Sequence, residues 1–205
     1  LIMADSEPSH WVHDLDPMLL QVYGDFGIRW YGLAYLAGFL ASYLLLRQYS
    51  KRDLSPLSLD QLEQTAFALI LGLLVGARVG FIVLYDLSRT LENPLLIVQV
   101  WKGGMSFHGG LAGCALAALW IQRKTGIGFL RLGDLVASVA PTGLLFGRLA
   151  NFINGELYGK VSQVPWAVIF PQSAPPGTPP ALIDPRHPSQ LYEAALEGAV
   201  LLAWL

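Results

Sequence analysis

The sequence predicts an all-α integral membrane protein, a polytopic helix bundle with a small extracytoplasmic head. Three observations carry this prediction. Of 205 residues, 54% are hydrophobic and only 14% are charged, against about a quarter charged in ordinary soluble domains. The mean hydropathy is +0.48. The apolar residues also gather into long runs, several close to the roughly 20 residues that carry a helix across a bilayer. A soluble globule of this size would need a charged skin that this chain lacks.

The first hydrophobic segment covers about Trp30 to Leu46, and the second about Leu62 to Tyr85. Asp60 and Glu63 read as N-cap and capping-box partner of the second. LLIVQVW, Leu95 to Trp101, is too short to span and reads as an interfacial or re-entrant piece. The third segment, about Phe107 to Ile121, is shorter and rich in glycine. The fourth covers about Leu132 to Phe152, and the fifth starts near Ser189. Residues 1–205 form one membrane domain, with residues 153–188 as a head inserted between spans four and five. No alternating pattern of about ten residues recurs, so a membrane β-barrel is excluded. In the head, PQSAPPGTPPALIDP has too many prolines for an α-helix, while VPWAVIF reads as a short strand.

The basic residues set the orientation. Arg47, Lys51 and Arg52 follow the first span, and Arg123, Lys124 and Arg131 lie between the third and fourth. The opposite loops carry Arg89, Lys102, Lys160 and Arg186. The positive-inside rule puts the first group in the cytoplasm and the N-terminus and head outside. MADSEPSHWVHDLDP is polar, so no cleavable signal peptide is expected. The chain stops inside the apolar run LEGAVLLAWL and therefore reads as a C-terminally truncated fragment.

A net charge of -2 argues against nucleic acid. Cys114 is the one cysteine; it offers no disulfide and no cysteine-based metal site, and its apolar surroundings suit a small packing residue. No second histidine at ligand spacing accompanies His108, so no metal is expected, and no cofactor is expected either.

Charges inside spans are functional candidates. Arg78 lies in LGLLVGARVGFIVLY between Gly76 and Gly80. It is either a functional group or the structural partner of a carboxylate such as Asp86. Arg148 comes late in the fourth span, with Asn151 one turn on and Asn154 beyond. A guanidinium fork and two amides suit phosphate oxygens. Gly147, Gly155 and Gly159 would let a bulky ligand approach. The competing reading is a snorkelling arginine with asparagines capping a helix end. His108 stands between paired glycines in GGMSFHGG and can exchange a proton near neutral pH; a structural histidine is the alternative. Arg186, His187, Gln190 and Glu193 gather in DPRHPSQLYEAALEG, where Ser189 reads as an N-cap with Glu193 in the first turn. Tyr31 and Trp30 suit interfacial anchors. In the expected topology Arg148, His108, Tyr31 and the Arg186–Glu193 group share the outer membrane level.

GRLANFINGE, GGMSFHGG and RHPSQLYE, in this order, resemble the signatures of the prolipoprotein diacylglyceryl transferase family of bacterial inner membranes. The resemblance runs from about His13 to Leu205. It implies a seven-helix bundle, of which this chain holds about five spans. It implies transfer of the diacylglyceryl group of phosphatidylglycerol to the lipobox cysteine of a preprolipoprotein signal peptide, with glycerol 1-phosphate released. By the same resemblance Arg148 matches the head-group arginine, and Asn151, Glu156 and Gly159 match other functional members of the signature. His108 matches a histidine proposed to assist catalysis, and Tyr31 an important tyrosine. The family's second essential arginine has no counterpart here, which implies an inactive fragment. Arg29, Ala150 and Lys160 stand where histidine, glycine and arginine are common. The implied roles are catalytic for His108, Glu156 and Tyr31, and phosphatidylglycerol-binding for Arg148, Asn151, Asn154 and Gly159. Arg78, Arg186, His187, Gln190 and Glu193 are secondary candidates. An anionic-lipid-binding protein or a transporter without transferase activity is the alternative.

Overall fold

A computed structural model describes residues 10–23, 26–99 and 103–205. Val100, Trp101 and Lys102 lie outside the described residues, as do residues 1–9 of the polar N-terminal stretch. The chain divides into two compact units. One comprises residues 1–42 and 138–205, the other residues 43–137.

The second unit is built on two helices. Helix α2 (Leu59–Tyr85) has 27 residues, and α4 (Phe107–Thr125) has 19. Ser58, not Asp60, caps α2. Its Oγ accepts the Gln61 N–H at 3.3 Å, and Gln61 Oε1 accepts the Ser58 N–H at 3.0 Å. The S-x-x-Q box lies one polar turn ahead of the apolar run, so the helix starts earlier than hydropathy suggests. Ser106 caps α4 through the Gly109 N–H, and Gly126 ends it in left-handed backbone at φ 75°. Gly72, Gly76 and Gly80 of α2 meet Gly109 and Gly113 of α4 backbone to backbone. A Cβ on Gly80 would stand 2.6 Å from Gly109 Cα, and one on Gly113 2.8 Å from the Gly72 carbonyl carbon. Cys114 is half-buried with its Sγ 3.8 Å from Leu69 O, which suits a packing residue.

Between these helices in sequence come α3 (Leu87–Glu92) and a 3₁₀ segment, Pro94–Val98. That segment is the described part of the expected interfacial piece. Arg78 is buried and does not pair with Asp86. Its Nε donates to Ile97 O at 3.1 Å, its Nη1 to Gly103 O at 2.8 Å and Gly104 O at 2.9 Å, and its Nη2 to Leu96 O. Helix-end and loop carbonyls thus take the donors that the structural alternative would give to a carboxylate.

The first unit holds the start of α1 (Trp30–Lys51) and the end of α5 (Phe129–Ile153). Gly38 lies against Gly143, and the Ser42 and Thr142 hydroxyls meet at 2.6 Å. Strand β1 (Trp11–Val12) pairs in parallel with β4 (Val168–Ile169). Strands β2 (Met18–Tyr23) and β3 (Phe26–Arg29) form an antiparallel pair that the sequence reading missed. Strand β4 is a two-residue part of the expected VPWAVIF strand. Proline confines helix in the following segment to 3₁₀ turns at Pro171–Ser173 and Pro180–Leu182. The chain closes with α6 (Ser189–Glu193), a π-helical segment Ala194–Val200, and α7 (Leu201–Trp204). Ser189 is the first helical residue rather than the cap, and its hydroxyl donates to Leu157 O at 3.1 Å. Glu193 consequently lies past the first turn.

Among the described residues two helices are long and apolar enough to cross a membrane, α2 at mean hydropathy 2.5 and α5 at 1.4. On α2 the outward side chains include Phe67, Leu71, Val75, Val79 and Val83, all exposed. A helix apolar on its open face is suited to lipid.

Candidate functional site

The first unit concentrates most of the predicted site residues. Helix α5 ends at Ile153 and the chain reverses. Gly155 and Leu157 both adopt left-handed backbone, at φ 66° and 56°. This is free for glycine and costs about 1–2 kcal/mol for leucine. The reversal carries Glu156 back over the helix end, where its N–H meets Asn151 O at 3.0 Å. Its carboxylate Oε1 then accepts Asn151 Nδ2–H at 2.8 Å and Asn154 Nδ2–H at 3.3 Å. The amides predicted to serve a phosphate are therefore turned, by one N–H each, to Glu156.

A second strand of chain zips against this turn. Gly159 N–H donates to His187 O at 2.9 Å, and His187 N–H to Lys160 O at 3.0 Å. A side chain at Gly159 would stand 3.0 Å from His187 Cβ, so this glycine serves the close approach of His187. Arg186 Nη1 donates to Gly159 O at 3.3 Å, with its guanidinium over the Tyr158 ring at 5.2 Å. Gln190 is fully buried, and its Nε2 donates to Glu156 O at 2.5 Å. Trp166 Nε1 donates to the Tyr192 hydroxyl at 2.6 Å, which lies 3.1 Å from His187 Nδ1.

Arg148 behaves differently from Arg78. Its Nε lies 2.7 Å from Glu193 Oε2, and Nη2 lies 4.0 Å from Glu197 Oε2. The Nε–H is not aimed along that short line, so the contact is an ion pair and not a hydrogen bond. Among the described residues no acceptor is aligned on this guanidinium. Glu197 escaped the sequence reading, although it sits one turn beyond Glu193. On α1 the Tyr31 ring lies edge-on to Tyr35, with ring centroids 5.1 Å apart.

His108 and Arg78 belong to the other unit. His108 is the second residue of α4, exposed, with its ring edge-on to Phe107 at 5.7 Å. No group of three or more metal-ligating side chains occurs among the described residues.

Sequence comparison covers the same residues. The model of the prolipoprotein diacylglyceryl transferase family matches residues 17–205. A phosphatidylglycerol–prolipoprotein diacylglyceryl transferase of Rhizobium meliloti is 46% identical over 198 residues, covering 94% of this chain and 68% of the relative. The enzyme of that name from Geobacter sulfurreducens is 48% identical, covering 91% and 68%. That from Solidesulfovibrio magneticus is 49% identical, covering 95% and 72%. The chain thus spans about two thirds of the length of these relatives. Identity near one half over more than nine tenths of this chain leaves one conclusion: the chain belongs to the prolipoprotein diacylglyceryl transferase family.

Proposed function

We propose that this chain transfers the diacylglyceryl group of phosphatidylglycerol to the lipobox cysteine thiol of prolipoproteins, the first step of bacterial lipoprotein maturation. One observation carries the reading within the family. Of the two arginines singled out inside apolar runs, Arg78 has its donors fixed on backbone carbonyls, whereas Arg148 has ion-pair partners and no aligned acceptor. A phosphate oxygen can take those N–H groups in a way that a helix-end structural role would not leave open.

In this reading the acceptor cysteine sulfur attacks the glyceryl carbon and forms the C–S bond. The C–O bond to phosphate breaks, and its electron pair leaves with glycerol 1-phosphate. Arg148 stabilises charge on the departing phosphate, with the second amide hydrogens of Asn151 and Asn154 alongside. His108 takes the thiol proton. Glu156 is the second base, since the amides hold its Oε1 while Oε2 remains open to a proton. Tyr31, packed edge-on against Tyr35, orients the site from α1. Gly159 keeps the turn closed on His187.

The finer topology belongs to the same proposal. Five spans would cross the bacterial inner membrane, with the N-terminus, residues 153–188 and the site on the periplasmic side. The basic residues after α1 and α4 support that orientation.

The test is release of glycerol phosphate from labelled phosphatidylglycerol in proteoliposomes of the entire gene product. Release should require an acceptor peptide bearing the lipobox cysteine. Replacing Arg148 by lysine removes the planar fork and should lower the rate by about 10²-fold. Full activity in Arg148→Lys, or release without acceptor, would sink the mechanism. Lipid binding without turnover would favour the scaffold, and anion flux without thioether product the transporter.

A further inference from the structure

His13 is a buried titratable side chain that the proposed mechanism does not use. It directly follows β1, and only 5% of it is exposed. Its backbone N–H donates to Ile169 O at 2.8 Å, at the end of the β1–β4 pairing. Its ring lies edge-on to Trp11 and to Phe152, with centroids 5.6 Å away in each case, and tilted against Phe170 at 5.4 Å. Phenylalanine would meet that packing as well. What histidine adds is one polar bond, from Nε2 to Phe152 O at 2.7 Å. A carbonyl only accepts, so Nε2 is the donor.

Phe152 O is the pivot of the turn that follows α5. It also accepts the Gly155 N–H at 2.9 Å, the bond that begins the reversal toward Glu156. The same ring meets the turn a second time. A Cβ on Gly155 would stand 3.1 Å from both Nδ1 and Cε1 of His13, and 3.1 Å from Gln172 Oε1. His13 thus grips the turn at Phe152 O and walls it at Gly155, from 139 positions earlier in the chain than Phe152. The residue after Gly155 is Glu156, whose carboxylate accepts the Asn151 and Asn154 amides in this turn.

We propose that His13 is a positioning residue for the transfer reaction: it holds the Gly155 turn so that the Glu156 carboxylate stands where it can take a proton. This rests on the transferase reading and deepens it. His13 touches no substrate and acts through Glu156. Misplacing a reacting group slows the chemical step. Arg148 lies on α5 ahead of the turn, so the hold on phosphate is left in place. The loss therefore falls on kcat and not on KM.

The experiment uses the entire gene product in phosphatidylglycerol proteoliposomes with a lipobox cysteine peptide, and rates are taken per folded protein. His13→Phe keeps a ring in the aromatic cluster and removes the N–H. Its kcat should fall by about tenfold, with KM for phosphatidylglycerol close to the parental value. His13→Gln keeps an amide N–H within reach of Phe152 O and should restore most of the rate. Backbone amide exchange, read by mass spectrometry in peptides covering residues 152–158, should be about tenfold faster in His13→Phe and near parental in His13→Gln. A merely structural histidine would lower the folded fraction, leave kcat per folded protein unchanged and give glutamine no advantage over phenylalanine; that result overturns the proposal. So does a loss confined to KM, or exchange in His13→Phe that matches the parent protein. If the parent protein transfers nothing to the peptide, the transferase reading fails by itself. The exchange of residues 152–158 then still decides whether His13 holds the turn.

Discussion

Replacing Gly113 by alanine tests the glycine seam between α2 and α4. The new Cβ would stand 2.8 Å from the Gly72 carbonyl carbon and 3.0 Å from Gly76 Cα, with Gly72 O closer still. Carbon atoms pack at about 3.5–4.0 Å, so the helices must part locally by roughly 0.5–1 Å. A gap of that size forfeits about a quarter to a half of each contact's roughly 0.1–0.2 kcal/mol. Over some tens of atom pairs the loss is about 2–3 kcal/mol. Alanine returns about 1 kcal/mol of helix propensity, which leaves the variant about 1–2 kcal/mol less stable. Gly133, exposed in α5 with nothing within 4 Å of an added Cβ, gives the opposite expectation. Gly133→Ala should gain up to about 1 kcal/mol. Reversible denaturation in mixed detergent micelles, followed by far-ultraviolet circular dichroism, reads both. A Gly113→Ala midpoint at or above that of the parent protein would refute the close-packed seam.

Two further predictions concern fixed polar groups. Arg78→Met strips donors from the carbonyls of Leu96, Ile97, Gly103 and Gly104. It should cost about 3 kcal/mol or more and expose that stretch to limited proteolysis; an unchanged cleavage pattern would count against the structural role. Asn151→Asp sets a carboxylate against Glu156 Oε1 at the place of a 2.8 Å hydrogen bond. Stability should fall at pH 8 by about 2 kcal/mol and recover on acidification, since protonating either carboxylate ends the repulsion; a pH-independent deficit would contradict it.

The helices were largely legible because hydropathy sets their middles and breakers set their ends. Asp60 was mistaken for a cap because the apolar run begins at Leu62, whereas the first turn of α2 is polar and Ser58 precedes it. The β2–β3 pair was hidden because its strands, six and four residues long, fall short of any pattern suited to a membrane strand. The two arginines could not be told apart in sequence, since both lie in apolar runs near glycine. What separates them is that the carbonyls of Leu96, Ile97, Gly103 and Gly104 meet Arg78. The pairing of Asn151 and Asn154 with Glu156 was equally hidden. It depends on left-handed backbone at both Gly155 and Leu157, and nothing about a leucine announces that conformation. Ser189 misled for a related reason: its hydroxyl is drawn to Leu157 O in that same turn.

The pairing of β1 with β4 bears on the order of assembly during synthesis. His10 and Val164, bonded beside this pair, are 154 residues apart. At about 5–20 residues per second, ribosomes need roughly 8–30 s to make that stretch. For that interval Trp11 and Val12 have emerged without the strand they pair with. The chain meanwhile completes residues 43–137, whose α2 and α4 need only each other and the short connection between them. One compact unit can therefore mature early, while the unit carrying Arg148 and Glu156 closes last, across the 154 residues between His10 and Val164. Slow, non-local closure of this kind is where folding rates are set, so translation speed after Ala137 governs when the candidate site first comes together.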